Sequence, residues 1–258
     1  ACHDVVHAFN EWMYEKWSFL YEDRIFATPV LNAGLVDRAV AELEWLVERG
    51  AKTILMRPAP AWGYRGPRSF ALPEFDPLWE LVQDTGTIVV LHVSDSGYDR
   101  YYNEWHGADV EMRSTSVESN PFKMATLFNH YPIQDMVTSL ICHGTFWRFP
   151  KAKVLLVENG AGWVPGLLQH LDHVAEKAPQ MYEMKPSETF KQNVWVQANH
   201  EDVLPPVIDA IGVDRIMFGS DYPHLEGLVE PLSYLDNIVD MPIEDQRKIM
   251  GGNMLGLL

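Results

Sequence analysis

Cysteine is nearly missing from this chain. Cys2 and Cys142 are the only two, so no disulfide framework exists, and such isolated thiols suit a reducing compartment, with the cytoplasm as the default. Positive charge is also scarce. Twenty Lys and Arg stand against 36 Asp and Glu, a formal net charge of −16, which argues against a nucleic-acid partner or an anionic membrane surface and leaves a small molecule as the expected partner. No apolar run approaches the roughly 18 residues of a membrane span. The N-terminus lacks the basic-then-apolar order of a secretory signal. A Gly-rich phosphate loop and a GxSxG elbow are absent too, so the sequence announces neither nucleotide-phosphate binding nor serine-esterase chemistry. No internal repeat or low-complexity linker divides the chain, and residues 1–258 read as a single domain.

What is present is an alternation. Short apolar runs rich in β-branched residues occur at about 24–31 (RIFATPVL), 52–57 (KTILMR), 87–94 (TIVVLHVS), 153–158 (KVLLVE), 193–197 (NVWVQ) and 214–219 (DRIMFG). Between them lie segments of helical period. In 35–49, Val36, Val40, Leu43 and Val47 share one face, and Gly50 closes the helix. Further helices are expected at 4–18, 76–84, 132–147, 163–177, 203–211 and 243–257. Strand–helix alternation of this kind predicts a parallel sheet wrapped by helices, an α/β fold of the TIM (β/α)8 barrel type. Six strands fall two short of eight, so the chain reads as a barrel without its N-terminal strands. Aromatic content of 12%, with nine Trp, fits a large core and a lined pocket.

Ionisable residues gather at the strand ends. One strand ends LHVSD (His92, Ser94, Asp95), the next VENG (Glu158), the next QANHED (His200, Glu201, Asp202), and the last GSDYPH (Asp221, His224). Parallel topology brings all these ends to one rim. Imidazole and carboxylate converging there suit a divalent ion, because zinc and manganese accept both ligand types. Each residue has a plainer alternative: His92 as a hydrogen-bonded core histidine, Asp221 as a helix cap ahead of Pro223, Glu158 as a turn former. Arg57, ending TILMR, could bind an anionic substrate or neutralise the acidic rim. Two long loops, 59–73 and 96–120, follow strand ends, and their Trp62, Tyr98, Tyr101 and Trp105 would supply apolar walls. The His3-Asp4-Val5-Val6-His7 run places two imidazoles at i and i+4 but offers no third ligand. Cys142 and His143 are adjacent on a helix and therefore diverge, which disfavours a nucleophilic pair.

Taken together, LHVSD, CHGTFWRFPKAKVLLVENGAGWVPGLLQHLD, DRIMFGSDYPHLEG and IMGGNMLGLL resemble the amidohydrolase-2 family of metal-dependent hydrolases, which also holds nonoxidative decarboxylases such as aminocarboxymuconate semialdehyde decarboxylase. The resemblance implies a distorted TIM barrel with one divalent metal, commonly zinc, at the mouth. It implies His92 and Asp221 as metal ligands. The strand ends and long loops themselves add Asp221 and Glu158 as expected catalytic groups, with Arg57, His200, His224, Trp62 and Tyr98 expected around the substrate. A homodimer is the assembly common in the family. The HxH pair that relatives carry on their first strand occurs nowhere here, and Glu158 stands where the decarboxylase branch has a histidine. The expectation is a hydrolase of a small carboxylate-bearing substrate; a decarboxylase, or a noncatalytic barrel that only binds a ligand, are the alternatives.

Overall fold

The computed structural model describes residues 1–94, 96–98, 101, 104–105, 121–122, 130–225 and 227–258. Helix α1 (Cys2–Trp17) leads to a hairpin of β1 (Leu20–Tyr21) and β2 (Ile25–Phe26), then α2 (Val36–Glu48) and β3 (Thr53–Met56). A second hairpin, β4 (Ala61–Gly63) with β5 (Gly66–Arg68), precedes α3 (Asp76–Thr85) and β6 (Ile88–His92). After α4 (Tyr131–Cys142) and α5 (Thr145–Arg148) come β7 (Lys153–Val157), α6 (Val164–Lys177), α7 (Pro186–Asn193), β8 (Val194–Ala198), α8 (Leu204–Ile211) and β9 (Ile216–Phe218). The chain closes with α9 (Ile243–Arg247), a wide turn over Lys248–Gly252 and α10 (Asn253–Leu255). Strands β3, β6, β7, β8 and β9 form one parallel sheet in that order. Parallel strands with helical crossovers make this an α/β fold of the TIM-barrel type. Among the described residues, no helix is long and apolar enough to cross a membrane.

Alternation along the strands creates two cores. Val89, Leu91, Val154, Leu156, Val194, Val196 and Ile216 point outward, where they join Leu43, Leu46, Val137, Leu140, Leu168 and Val207 from the helices in the main cluster. Each such residue contributes about 1.5–3 kcal/mol by leaving water. Ile88, Val90, Leu155, Trp195 and Met217 point inward and pack with Leu257 in a smaller cluster. Lys153 Nζ donates to the Leu257 carbonyl at 2.8 Å and ties the chain's last helix beneath the sheet.

The run expected as one strand over 24–31 is shorter than its composition suggests. Glu22 and Asp23 both adopt left-handed φ, 51° and 50°, which turns 20–26 into an antiparallel hairpin, as paired positive φ values do. Only Val30 bridges β3, at Leu55. There the Pro29 carbonyl accepts from Leu55 N at 2.8 Å and Leu31 N donates to the Leu55 carbonyl at 2.9 Å. The other side of Val30 is closed by a side chain: Asn10 of α1 donates to its carbonyl at 2.8 Å and accepts from its N–H at 3.0 Å. The helix expected over 132–147 breaks at Gly144, whose φ of 71° ends one helix and begins the next.

Candidate active site

Each principal site residue is delivered by the end of a strand. His92 is the last residue of β6, Glu158 follows β7 directly, and Asp221 lies three positions past β9. Glu158 and Asp221 hold left-handed backbones, with φ of 57° and 52°. For residues with a Cβ this costs on the order of 1–3 kcal/mol each and persists only where the surroundings enforce it. Around Glu158 the enforcement is dense. The buried Asn159 side chain donates to the Leu91 and Val157 carbonyls at 3.0 and 2.6 Å. Asp202 accepts from the N–H groups of Ala161, Gly162 and Asn199 at 2.9, 3.1 and 2.8 Å. Trp163 Nε1 donates to the Asn159 carbonyl at 2.9 Å.

The three groups meet. His92 Nδ1 donates to the Val93 carbonyl at 2.8 Å, which fixes the ring and turns Nε2 toward Glu158 Oε2 at 3.1 Å. The Glu158 carboxyl is also hydrogen-bonded to Asp221, and partial burial, that hydrogen bond and the Asp221 charge together push its pKa up to about 7, against the opposing pull of His92 and His224. Two carboxyls in contact favour holding one proton between them. His224 Nδ1 lies 3.4 Å from Asp221 Oδ2. A cavity of about 430 Å³ opens beside them, bounded at the rim by His92, Glu158, Gln197 and Asp221 and deeper by Leu155, Met217, Met254 and Leu258. That volume suits a small organic molecule.

Imidazole nitrogen with carboxylate oxygen is a donor chemistry that fits a divalent cation. The number of donors is small: among the described residues, no group of three His, Cys, Asp or Glu is arranged to hold an ion. His92 and Asp221 could offer one nitrogen and one carboxylate donor, with Glu158 in contact with both.

Of the remaining expected residues, only His224 stands beside the cluster. Arg57 lies exposed one residue beyond β3, His200 is exposed with its imidazole 3.9 Å from Glu201, and Trp62 is exposed on β4; none lines the cavity. The Tyr98 hydroxyl donates to Asp135 of α4, and burial together with that carboxylate pushes its pKa well above the usual phenol value. The Tyr101 and Trp105 rings sit with centroids 6.3 Å apart. Asp95 lies outside the described residues. His3 and His7 face different partners: His3 Nε2 accepts from Leu35 N at 3.2 Å, and His7 Nδ1 meets Glu42 at 2.7 Å. Cys142 contacts Tyr182, while His143 Nδ1 turns to Ser139. Gln197 is the rim residue that ionisable-group reasoning passes over. Its signal was a lone amide inside the apolar run VWVQA.

Comparisons with known proteins agree with this architecture. The amidohydrolase family model matches residues 3–255. The crystal structure of an amidohydrolase from Mycobacterium avium subsp. paratuberculosis K-10 is 39% identical, with a TM-score of 0.92, covering 100% of this chain and 64% of that one. A dihydroxybenzoic acid decarboxylase from Polaromonas sp. JS666, solved with bound manganese, shares the fold at 20% identity and a TM-score of 0.73, over 99% of this chain and 74% of that one. A 2-amino-3-carboxymuconate-6-semialdehyde decarboxylase from Dictyostelium discoideum is 25% identical over 193 residues, 72% of this chain and 48% of the relative. The chain thus spans about half the length of this curated relative and just under two thirds of the mycobacterial one. The family match along nearly the whole length and the 39% identity decide the assignment: the chain belongs to the amidohydrolase family.

Proposed function

We propose that this chain carries the reaction rim of a metal-dependent hydrolase acting on a small, carboxylate-bearing organic substrate. The contact of Glu158 with both His92 and Asp221 carries the proposal, because it supplies a carboxyl able to give and take a proton near neutral pH. His92 and Asp221 would hold one divalent ion, zinc first and manganese as the alternative suggested by the Polaromonas relative. When bound, such an ion would polarise a substrate carbonyl and acidify water. Asp221 would accept the proton of the attacking water, and Glu158 would pass a proton to the leaving group. His224 orients Asp221 and faces the substrate's anionic end, and Arg57, His200, Trp62 and Tyr98 are proposed as outer contacts.

The same Glu158 proton favours a second reading. In nonoxidative decarboxylation the carbon–carboxylate bond breaks, its electron pair stays on carbon, CO2 departs, and a nearby acid protonates that carbon. A carboxyl that keeps its proton up to about pH 7 suits this role, and two of the relatives are named as decarboxylases. The purified chain, supplied with Zn(II) or Mn(II), would be assayed against esters, amides and lactones for hydrolysis and against aromatic and unsaturated acids for CO2 release. Activity with either panel should fall by roughly 10²–10⁴ in Glu158→Gln. No turnover, together with no ion retained after dialysis, would leave the noncatalytic, ligand-binding reading.

A further inference from the structure

Gln197 stands in β8, the strand between those that deliver Glu158 and Asp221. Its side chain touches both sides. Gln197 Oε1 accepts from the Glu158 N–H at 2.6 Å, and its Nε2 donates to the Ala198 carbonyl and Asn199 Oδ1, both at 3.1 Å. On the other side it lies flat against Gly219, where a Cβ would come within 2.6 Å of Gln197 Cγ and 2.8 Å of its Cδ. These are the inner atoms of a side chain held at three points and buried, so they have little room to yield. The Asp221 loop is equally close-fitted: Leu228 N donates to the Ser220 carbonyl at 2.8 Å, and a Cβ on Gly227 would meet the Asp221 carbonyl oxygen at 2.3 Å.

We propose that Gln197 is a positioning residue that sets the separation of the Glu158 and Asp221 carboxyls. It bonds the backbone of one strand end and packs against the backbone two residues before the other carboxyl. It also gives the left-handed turn at Glu158 its hydrogen-bond partner for the N–H, and so aims that carboxyl at His92 and Asp221. An amide suits this place because it accepts and donates while adding no third carboxylate beside Glu158 and Asp221. Gly219 is required because any larger residue would drive Gln197 toward Glu158.

This inference rests on the rim being the reaction site, and its test separates the two. Crystal structures and amide hydrogen exchange would be obtained for the wild type, Gln197→Leu, Gln197→Glu and Gly219→Ala, with Mn(II) affinity measured by titration in parallel. In Gln197→Leu the Glu158 carboxyl is expected to leave its 3.1 Å contact with His92. Its amide should exchange at least about tenfold faster, while Leu155 and Leu156 of β7 keep their protection and so report an intact sheet. Gln197→Glu, which retains the acceptor, should restore Glu158 protection, and Gly219→Ala should displace the Glu158 carboxyl although every hydrogen-bonding group is retained. Mn(II) affinity should fall about 10–100-fold in the Leu and Ala variants, as when support behind a ligand is lost. An unchanged Glu158 contact and amide in Gln197→Leu would overturn the proposal. Failure of the wild type to bind Mn(II) would instead count against the metal-dependent function, leaving structure and exchange to decide the role of Gln197.

Discussion

Glu158 combines a left-handed backbone with a carboxyl that the fold holds away from its ordinary titration range. Its ordinary carboxyl pKa of 4.5 is pushed up to about 7, so the folded protein prefers it protonated. That preference stabilises fully below the unfolded value and is lost as the pH rises through 7. Glu158→Gln, which imitates the protonated form, should therefore be no less stable than the metal-free wild type at pH 5 and more stable by about 1–3 kcal/mol at pH 8. Melting curves in chelator at several pH values would show it, and a gap that does not widen with pH would count against the shared proton. The meeting of His92, Glu158 and Asp221 at one rim was legible because ionisable groups ending parallel strands are carried to the same side of the sheet. Arg57 and His200, expected from the same strand-end rule, and Trp62, expected as an apolar wall of the 59–73 loop, stand off the cavity, since a strand end locates the backbone and not the direction of the loop that follows. Gln197 carries no charge, and its part depends on contacts with two neighbouring strands that no local pattern records.

At the level of elements, the five strands of the sheet were readable from apolar runs bounded by polar punctuation. The Glu22–Asp23 turn was not, because neither residue is the Gly or Asn that usually announces a left-handed pair. Helix α7 also went unread: PSETFKQN offers no apolar stripe, and the helix is secured by Phe190 in the core and by Asn193, which donates to the Pro150 and Ala152 carbonyls. The sheet's margins are guarded by two asparagines. Asn10, fully buried, serves Val30 and also donates to Glu42 at 2.7 Å. Asn253 donates to the Val213 and Ile216 carbonyls at 2.9 and 2.7 Å, beside β9. Asn10→Ala should cost roughly 1–3 kcal/mol, because it orphans buried backbone groups. It should also promote association through the exposed edge, to be read by urea unfolding and light scattering. A variant as stable and monodisperse as the wild type would show that this edge needs no guard.

The whole molecule bears a charge of −16, and its distribution is uneven. Residues 216–246 contain no Lys or Arg at all, while Leu225, Val229 and Leu232 are exposed there. Mutual repulsion among carboxylates should make the fold salt-sensitive. Raising NaCl from about 0.02 to 0.3 M should raise the melting temperature by roughly 2–4 °C, since the screening length shortens severalfold. A flat or falling response would mean that local ion pairs outweigh the net field. Cohesion comes chiefly from the outer core. Leu43→Ala in α2 should cost about 2–5 kcal/mol by chemical denaturation, with the site carboxyls untouched.

The floor of the cavity has a consequence in time. Leu257 packs against the inward faces of the strands, and Met254 and Leu258 line the cavity itself, so residues that seal its lower end reach the sheet only after all five strands have been synthesised. A ribosome-bound chain extruded as far as residue 248 would already possess His92, Glu158 and Asp221, yet Met254, Leu257 and Leu258 would still be missing from beneath them. The rim residues are therefore made before the last of the cavity that lies beneath them. Protease resistance of stalled nascent chains should rise sharply only when residues 249–258 emerge; resistance acquired earlier would show that the inner cluster closes without them.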